Sequence, residues 1–221
     1  MTHDPRDHRL AVPRPARPGG PPASPSNWDE LYSESDQVWS GRPNGALVAQ
    51  VQSLSPGRAL DVGCGEGADA VWLARQGWQV TALDVSRVAL ERAAAAAREA
   101  RVEVRWVHAG LVDARLSDAF DLVCALYPGL LRTPEADAER ALLAAVAPGG
   151  TLLVVHHADV DSEQAKAHGF DAGDYVRPAD VAGLLDGAWE VDVDDQRPRD
   201  VPAGAGSHHV QDLVLRARRL R

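Results

Sequence analysis

The residues most able to do chemistry form one short run, Asp61-Val62-Gly63-Cys64-Gly65-Glu66-Gly67. It lies between an apolar strand-like stretch and a helical one. Glycines at 63, 65 and 67 allow backbone to approach a ligand closely, and the helix that opens behind them presents unbonded N–H groups. A second strand-like stretch ends on Asp84, 19 residues after Gly65. A carboxylate so placed can accept both hydroxyls of a ribose. The two features together predict a nucleoside derivative lying across the carboxyl ends of neighbouring strands.

Charge and spacing narrow the nucleoside. A dinucleotide would bring a pyrophosphate to the helix N-terminus, where Asp61, Glu66 and Asp69 are expected to crowd it. Repulsion over several ångströms costs on the order of a few kcal/mol at an effective dielectric near 20. The same acids suit a ligand carrying an ammonium and a sulfonium. The spacing Gly63-x-Gly65-x-Gly67 also departs from the G-x-G-x-x-G dinucleotide pattern. S-adenosylmethionine meets both conditions.

The elements that must position these groups alternate. Apolar or alternating runs predict strands over 58–62, 79–84, 102–108, 120–126, 151–155, 189–193 and 208–217. Helices are predicted over 68–76, from the cap Ser86 through Glu99, over 133–147 with Pro134 just inside its start, and over 178–185. Pro148-Gly149-Gly150 is expected to turn the chain into its fifth strand. Unbroken apolar strands alternating with helices mean a mostly parallel sheet covered on both faces.

Composition bounds the rest. A chain of 221 residues, 45% apolar, can bury one sizeable core. Its formal net charge of −9 argues against a broad nucleic-acid footprint. No run approaches the ~18 apolar residues of a membrane span, and the first 26 residues contain no apolar h-region of a secretory signal. That stretch holds seven of the 15 prolines and four arginines. It is expected to be a disordered leader, with 27–221 forming the domain. Cys64 and Cys124 are both expected in strand-like surroundings as reduced thiols of a cytoplasmic protein.

Over roughly 27–217 the chain resembles the class I S-adenosylmethionine-dependent methyltransferases. The resemblance rests on the run 61–67, on Asp84, on Phe120-Asp121-Leu122-Val123 and on Ala147-Pro148-Gly149-Gly150-Thr151-Leu152. The lead-in Trp28-Asp29-Glu30-Leu31-Tyr32 and Val38-Trp39-Ser40-Gly41-Arg42-Pro43-Asn44 is similar to small-molecule members such as the thiopurine and tellurite-resistance methyltransferases. The resemblance implies a Rossmann-like α/β fold, with a seven-stranded sheet in the order 3-2-1-4-5-7-6 and its last strand antiparallel. It also implies that Gly63, Cys64 and Gly65 line the methionine part of the cofactor and that Asp61 faces its ammonium. Asp84 would hold the ribose, Val85 would flank the adenine, and the Leu111 N–H would bond an adenine nitrogen. Relatives often carry an acid just before that last position. Here it is Gly110, with Asp113 three residues on as a substitute.

Several residues keep two readings. Trp39 either plugs the edge of the core or covers the cofactor, where an aromatic face near a sulfonium gains about 0.5–2 kcal/mol. Tyr127, His156 and His157 end the fourth and fifth strands, with Asp159 just beyond. There they either line an acceptor pocket and supply a general base, or are merely solvated. Trp28 and Tyr32 read as packing residues. His156-His157 and His208-His209 are neighbours on strand-like runs. Each pair can therefore offer at most one ligand to a given site, and no metal is expected. The chain carries Leu126-Tyr127-Pro128-Gly129 where amino-methylating nucleic-acid enzymes usually carry Asn or Asp and two prolines. A small-molecule acceptor with an S, O or N nucleophile is expected. A lid over 158–177, closing with 33–44, would select it. A nicotinamide-dependent oxidoreductase and a non-catalytic cofactor-binding module are the alternatives. Oligomeric state is left open.

Overall fold

The computed structural model describes residues 25–116, 118–158, 171–199 and 209–221. Seven strands form one sheet in the order β3-β2-β1-β4-β5-β7-β6. They are β1 (Arg58–Val62), β2 (Gln79–Asp84), β3 (Val104–His108), β4 (Phe120–Leu126), β5 (Val146–His157), β6 (Trp189–Pro198) and β7 (Gln211–Arg219). β1 to β5 pair in parallel, and β7 runs antiparallel between β5 and β6. The expected order therefore holds.

Six helices serve this sheet among the described residues: α1 (Pro25–Ser33), α2 (Gly45–Val51), α3 (Ala68–Arg75), α4 (Arg87–Ala100), α5 (Asp137–Ala145) and α6 (Pro178–Ala182). The unbroken apolar runs of β4 and β5 bury both of their faces, as crossover helices on both sides require. Leu47, Val51 and Leu73 from α2 and α3 pack with Leu122, Cys124 and Val155 on one face. Leu142 and Val181 from α5 and α6 pack with Val123 and Val154 on the other. Ser86 caps α4 as expected, its hydroxyl accepting the Ala89 N–H at 3.1 Å.

Four sequence expectations are corrected. The helix expected over 133–147 spans only Asp137–Ala145. Ala136 takes a left-handed conformation (φ 54°), and Thr133 Oγ1 accepts the Asp137 N–H at 3.1 Å, so Pro134 belongs to a turn ahead of the helix. Pro148-Gly149-Gly150 does not end a separate element. It sits inside β5 as an irregularity in register, with Gly149 at φ 80°. β6 runs on to Pro198 because β7 pairs with it throughout, although its far half is polar and exposed. Cys64 lies in the glycine turn and not in a strand, whereas Cys124 is buried in β4; both are free thiols.

Helix α1 begins at Pro25, two residues inside the stretch read as a leader, whose remainder lies outside the described residues. Asp159, most of the expected lid 158–177, and His208 also lie outside them.

Candidate functional site

Parallel strands aim their carboxyl ends at one edge of the sheet, and the glycine turn lies there between β1 and α3. Gly63, Gly65 and Gly67 all have positive φ, at 70°, 52° and 82°. The N–H groups of Gly63 and Cys64 donate to the Leu83 carbonyl at 2.9 and 3.0 Å, which ties the turn to the end of β2. Asp84 completes the tie. Its Oδ2 accepts the Gly65 N–H and its Oδ1 the Ser86 N–H, each at 2.8 Å. A carboxylate has about four lone-pair sites. These bonds, with a further backbone contribution from Val85, leave part of that capacity for a vicinal diol.

Asp61 is the electrostatic centre of the turn. It is 2% exposed, and its Oδ2 has no hydrogen-bond partner. Its Oδ1 has a weak contact from the Cys124 thiol at 3.8 Å, and the Ala70 backbone N–H also faces the carboxyl. Burial, with Asp69 and Asp84 nearby, holds the Asp61 carboxyl well above the usual carboxylate range. Burial also raises Asp84 and Asp69. An uncompensated buried carboxylate beneath a turn of positive-φ glycines fits a cationic ligand group above it. The same site would repel an anion.

The other acids of the turn face elsewhere, against expectation. Glu66 accepts the Val38 N–H at 3.1 Å, the Trp39 N–H at 2.9 Å and Arg92 Nη1 at 2.8 Å. Arg92 Nη2 in turn donates to the carbonyls of Tyr32 and Ser35, both at 2.6 Å. Asp69 accepts the Asn44 backbone N–H at 2.7 Å and its side-chain amide at 2.6 Å. Asp29 on α1 accepts the Ser86 hydroxyl at 2.6 Å, the bond that chiefly lowers its pKa. Segment 28–44 is thus latched across the glycine turn by side chains that sequence reasoning had assigned to the ligand. Glu66→Ala is expected to cost about 1–3 kcal/mol of stability. It should also speed amide exchange at Val38 and Trp39, which NMR would detect; unchanged protection there would contradict the latch.

The latch settles where Trp39 lies. It is 39% exposed and donates Nε1–H to the Tyr32 hydroxyl at 2.9 Å. A Cβ on Gly65 would stand 2.9 Å from the Tyr32 hydroxyl and 3.3 Å from Trp39 Nε1. Trp39 therefore covers the turn and does not plug the core. Tyr32 is buried beside it, and Trp28 lies against Gly129 after β4. Val85 and the Asp113 carboxylate meet over Gly110, each 3.6 Å from where a Cβ would stand. Leu111 is buried behind them in the core with Leu83 and Val107.

A second cluster stands further along the same edge. Tyr127, left-handed at φ 51°, donates its hydroxyl to Asp212 Oδ2 at 2.7 Å. Its ring stacks on His157 at 4.3 Å, and His157 stacks on His209 at 4.0 Å. The Arg199 guanidinium lies 4.9 Å over the Tyr127 ring. His156 sits edge-on to His157 at 6.0 Å and, by strand alternation, serves the other face. Burial, then His157, pushes His156 down to about 4. Sequence reasoning found Tyr127, His156 and His157 but missed Arg199, His209 and Asp212. The rest of the edge differs in kind. Among the described residues no group of three or more His, Cys, Asp or Glu could hold a metal, and no helix is long and apolar enough to cross a membrane. A groove of about 820 Å³ beside α4 lies at the amino ends of β1 to β4, away from both clusters.

The profile of a methyltransferase domain matches residues 59–150, from β1 through the glycine turn to the Gly149-Gly150 irregularity. Over that stretch the chain is similar to methyltransferase domains. An uncharacterised methyltransferase of Mycobacterium tuberculosis is 38% identical over 122 residues, which are 54% of this chain and 61% of that protein. The chain thus spans less than two thirds of that relative. A ubiquinone biosynthesis O-methyltransferase of Alkalilimnicola ehrlichii is 39% identical over 110 residues, 48% of this chain and 44% of the relative. Among solved structures, the N-methyltransferase NodS of Bradyrhizobium japonicum in complex with S-adenosylhomocysteine superposes with TM-score 0.66 at 19% identity. It covers 88% of this chain and 100% of the other. At that identity the likeness shows the fold alone. The chain therefore has the expected architecture, with Asp61 and Asp84 at the strand ends its fold brings together.

Proposed function

We propose that the chain, over 27–221, is an S-adenosylmethionine-dependent methyltransferase acting on a small molecule through an O, N or S nucleophile. The observation that carries this reading is the unpartnered Asp61 oxygen, buried under the glycine turn and one strand from Asp84. The bound cofactor would supply a methyl group already activated on a sulfonium. The protein's part is then to hold, align and exclude water, which supplies up to ~7–11 kcal/mol in favourable cases.

Each residue has a part in that work. Asp61 balances the ammonium of the ligand, and the open lone pairs of Asp84 take its ribose diol. Gly63, Cys64 and Gly65 give backbone access. Val85, Asp113 and the Leu111 backbone frame the adenine. Trp39 and Tyr32 close the turn against water. Tyr127, raised by burial and by Asp212, stays a neutral hydroxyl and walls the acceptor side. His156, with its lowered pKa, is a poor base at neutral pH, so His157 is the candidate proton acceptor. A nicotinamide dinucleotide fits less well, because its pyrophosphate would face Asp61. An acidic surface favours a small molecule over a nucleic acid, and two free thiols suit a reducing cytoplasm.

This arrangement predicts a pH dependence. Asp61 has a raised folded pKa, and a neighbouring ammonium favours its ionised form, so binding should release a proton. Affinity for S-adenosylhomocysteine, which retains the ammonium, should rise with pH through the range above the ordinary carboxylate value, then level off. Without ligand the sign reverses for stability. The raised carboxyls of Asp61, Asp69 and Asp84 stabilise the fold when protonated, and that contribution is lost as pH rises through their folded pKa values. Calorimetry in buffers of different ionisation enthalpy counts the proton. Asp61→Asn should abolish its release.

Transfer of a labelled methyl group to a panel of phenols, amines and thiols tests the activity itself. A methylated product supports the reading. Tight cofactor binding with no product across the panel would favour the non-catalytic module.

A further inference from the structure

Beside Tyr127 the sheet edge opens into a groove in which none of the proposed cofactor residues has a part. It runs between α2 and the β6–β7 pair and holds about 530 Å³, an ordinary size for a small-molecule site. Ala46, Val48 and Ala49 of α2 form one apolar wall, and Pro198 and Val214 belong to the other. The charged groups of the lining are Arg42, Arg197, Arg199 and Asp212. All four stand at the carboxyl edge of the sheet. Arg197 pairs with Asp212 across β6 and β7, and Asp212 pairs in turn with His157 at the end of β5. Arg42 comes just before Asn44, which Asp69 holds beside the glycine turn.

Both walls are fixed in place. At its start α2 is tied to α3, because Asp69 accepts the Asn44 backbone N–H at 2.7 Å and its side-chain amide at 2.6 Å. Towards its end Arg216 Nη1 of β7 donates to the Gln50 carbonyl at 3.0 Å. A groove clamped at both ends is preorganised, so a ligand spends little binding energy on ordering it. Its register to the glycine turn is fixed as well. Pro128 lies 3.7 Å from where a Cβ on Gly63 would stand, and Tyr127 is its neighbour in the chain. The Arg199 guanidinium lies 4.9 Å over the Tyr127 ring. These residues make a continuous path from the turn to the groove.

The arginines differ in what they already hold. Arg197 pairs with Asp195 at 2.7 Å in the open. Arg199 is 13% exposed, donates to the His209 carbonyl at 3.3 Å and stands 4.0 Å from Asp212, so its guanidinium is held in one orientation. Arg42, on the opposite wall, is exposed and has no ion pair among the described residues. With Asp212 in the lining and Asp195 beside it, three guanidinium groups face two carboxylates. A positive charge is left over in a chain whose formal net charge is −9. Such a cleft concentrates anions, and the planar fork of a guanidinium matches a carboxylate.

We propose that this groove binds the carboxylate end of the methyl acceptor, with Arg42 and Arg199 as its specificity determinants. The substrate is then an organic acid. Its apolar body lies between α2 and β7, and its nucleophile reaches the glycine turn across Tyr127. This rests on the methyltransferase reading and deepens it by naming the substrate class.

The test is an NMR titration of the full chain saturated with S-adenosylhomocysteine. Benzoate is the probe, benzamide its neutral match and inorganic phosphate a second anion. Benzoate should shift the backbone amides of Ala46, Ala49 and Val214 saturably, with benzamide and phosphate each binding at least ten-fold more weakly. Arg42→Gln, at an exposed position that leaves the core untouched, should weaken benzoate ten-fold or more and leave S-adenosylhomocysteine in place. No saturable shift with benzoate, or equal binding of the amide, would overturn the proposal. Tighter binding of phosphate would overturn the carboxylate assignment. Unchanged benzoate affinity in Arg42→Gln, with weaker S-adenosylhomocysteine binding, would give Arg42 to the carboxylate of the cofactor and overturn the proposal too. Failure of S-adenosylhomocysteine to bind the wild-type chain would remove the methyltransferase reading together with this role. Its binding without that of benzoate would remove the proposal alone.

Discussion

Asp84→Ala should weaken binding of S-adenosylhomocysteine ten-fold or more and also loosen the protein that binds it. The side chain performs two tasks at once. It accepts the Gly65 and Ser86 N–H groups at 2.8 Å, joining the glycine turn to the first turn of α4. Its remaining lone pairs are those assigned to the ribose. Truncation leaves two backbone donors without acceptors, at about 1–3 kcal/mol each, partly offset by release of a buried charge. A net loss of about 2–3 kcal/mol is expected by chemical denaturation. The loss of affinity, at least ~1.4 kcal/mol for ten-fold, should persist under conditions where the variant is fully folded. Unaltered affinity in folded Asp84→Ala would take this residue out of the site.

A different mechanism makes Gly67→Ala the most damaging small change. Gly67 caps α3 at φ 82°, where a side chain costs roughly 1–2 kcal/mol. A Cβ there would stand 2.7 Å from the Ala93 Cβ and 3.0 Å from Trp106 Cη2, in a layer where α3, α4 and β3 meet. Overpacking adds about 1–3 kcal/mol. A fall in melting temperature on the order of 10 °C follows for a chain of this size. The same substitution at Gly149, which has open space around it, should cost only the backbone term. Thermal melts of the two variants side by side separate packing from strain. Equal losses would mean that the contact with Ala93 relaxes freely.

Local chemistry was the legible part of this sequence. The run 61–67 reads as a ligand turn because glycine spacing and a strand-end acid act within a few residues of each other. Ser86 reads as a cap for the same reason. Strand order could not be had from pattern alone, and only the resemblance supplied it. Glu66 and Asp69 misled because a charge near a helix start looks the same whether it faces a ligand or a neighbouring segment. Their partners, Val38 and Asn44, stand 28 and 25 residues away with no spacing to announce them. Asp212 was harder still. It meets Tyr127 across 85 residues, on a strand pair whose outer member is polar and exposed. An acid in such a run reads as surface until β7 folds between β5 and β6 and buries it. The early start assigned to α5 failed because Thr133 and Pro134 make the same signature for a preceding turn as for a helix entrance.

The central claim is that the glycine turn over Asp61, with Asp84 beside it, holds a cationic adenosyl compound. Isothermal titration of folded protein with S-adenosylhomocysteine, against a nicotinamide dinucleotide in a parallel cell, tests it most directly. The account predicts saturable one-site binding of the first with proton release, and none of the second. No heat from the first, or saturable binding of the dinucleotide alone, would contradict it.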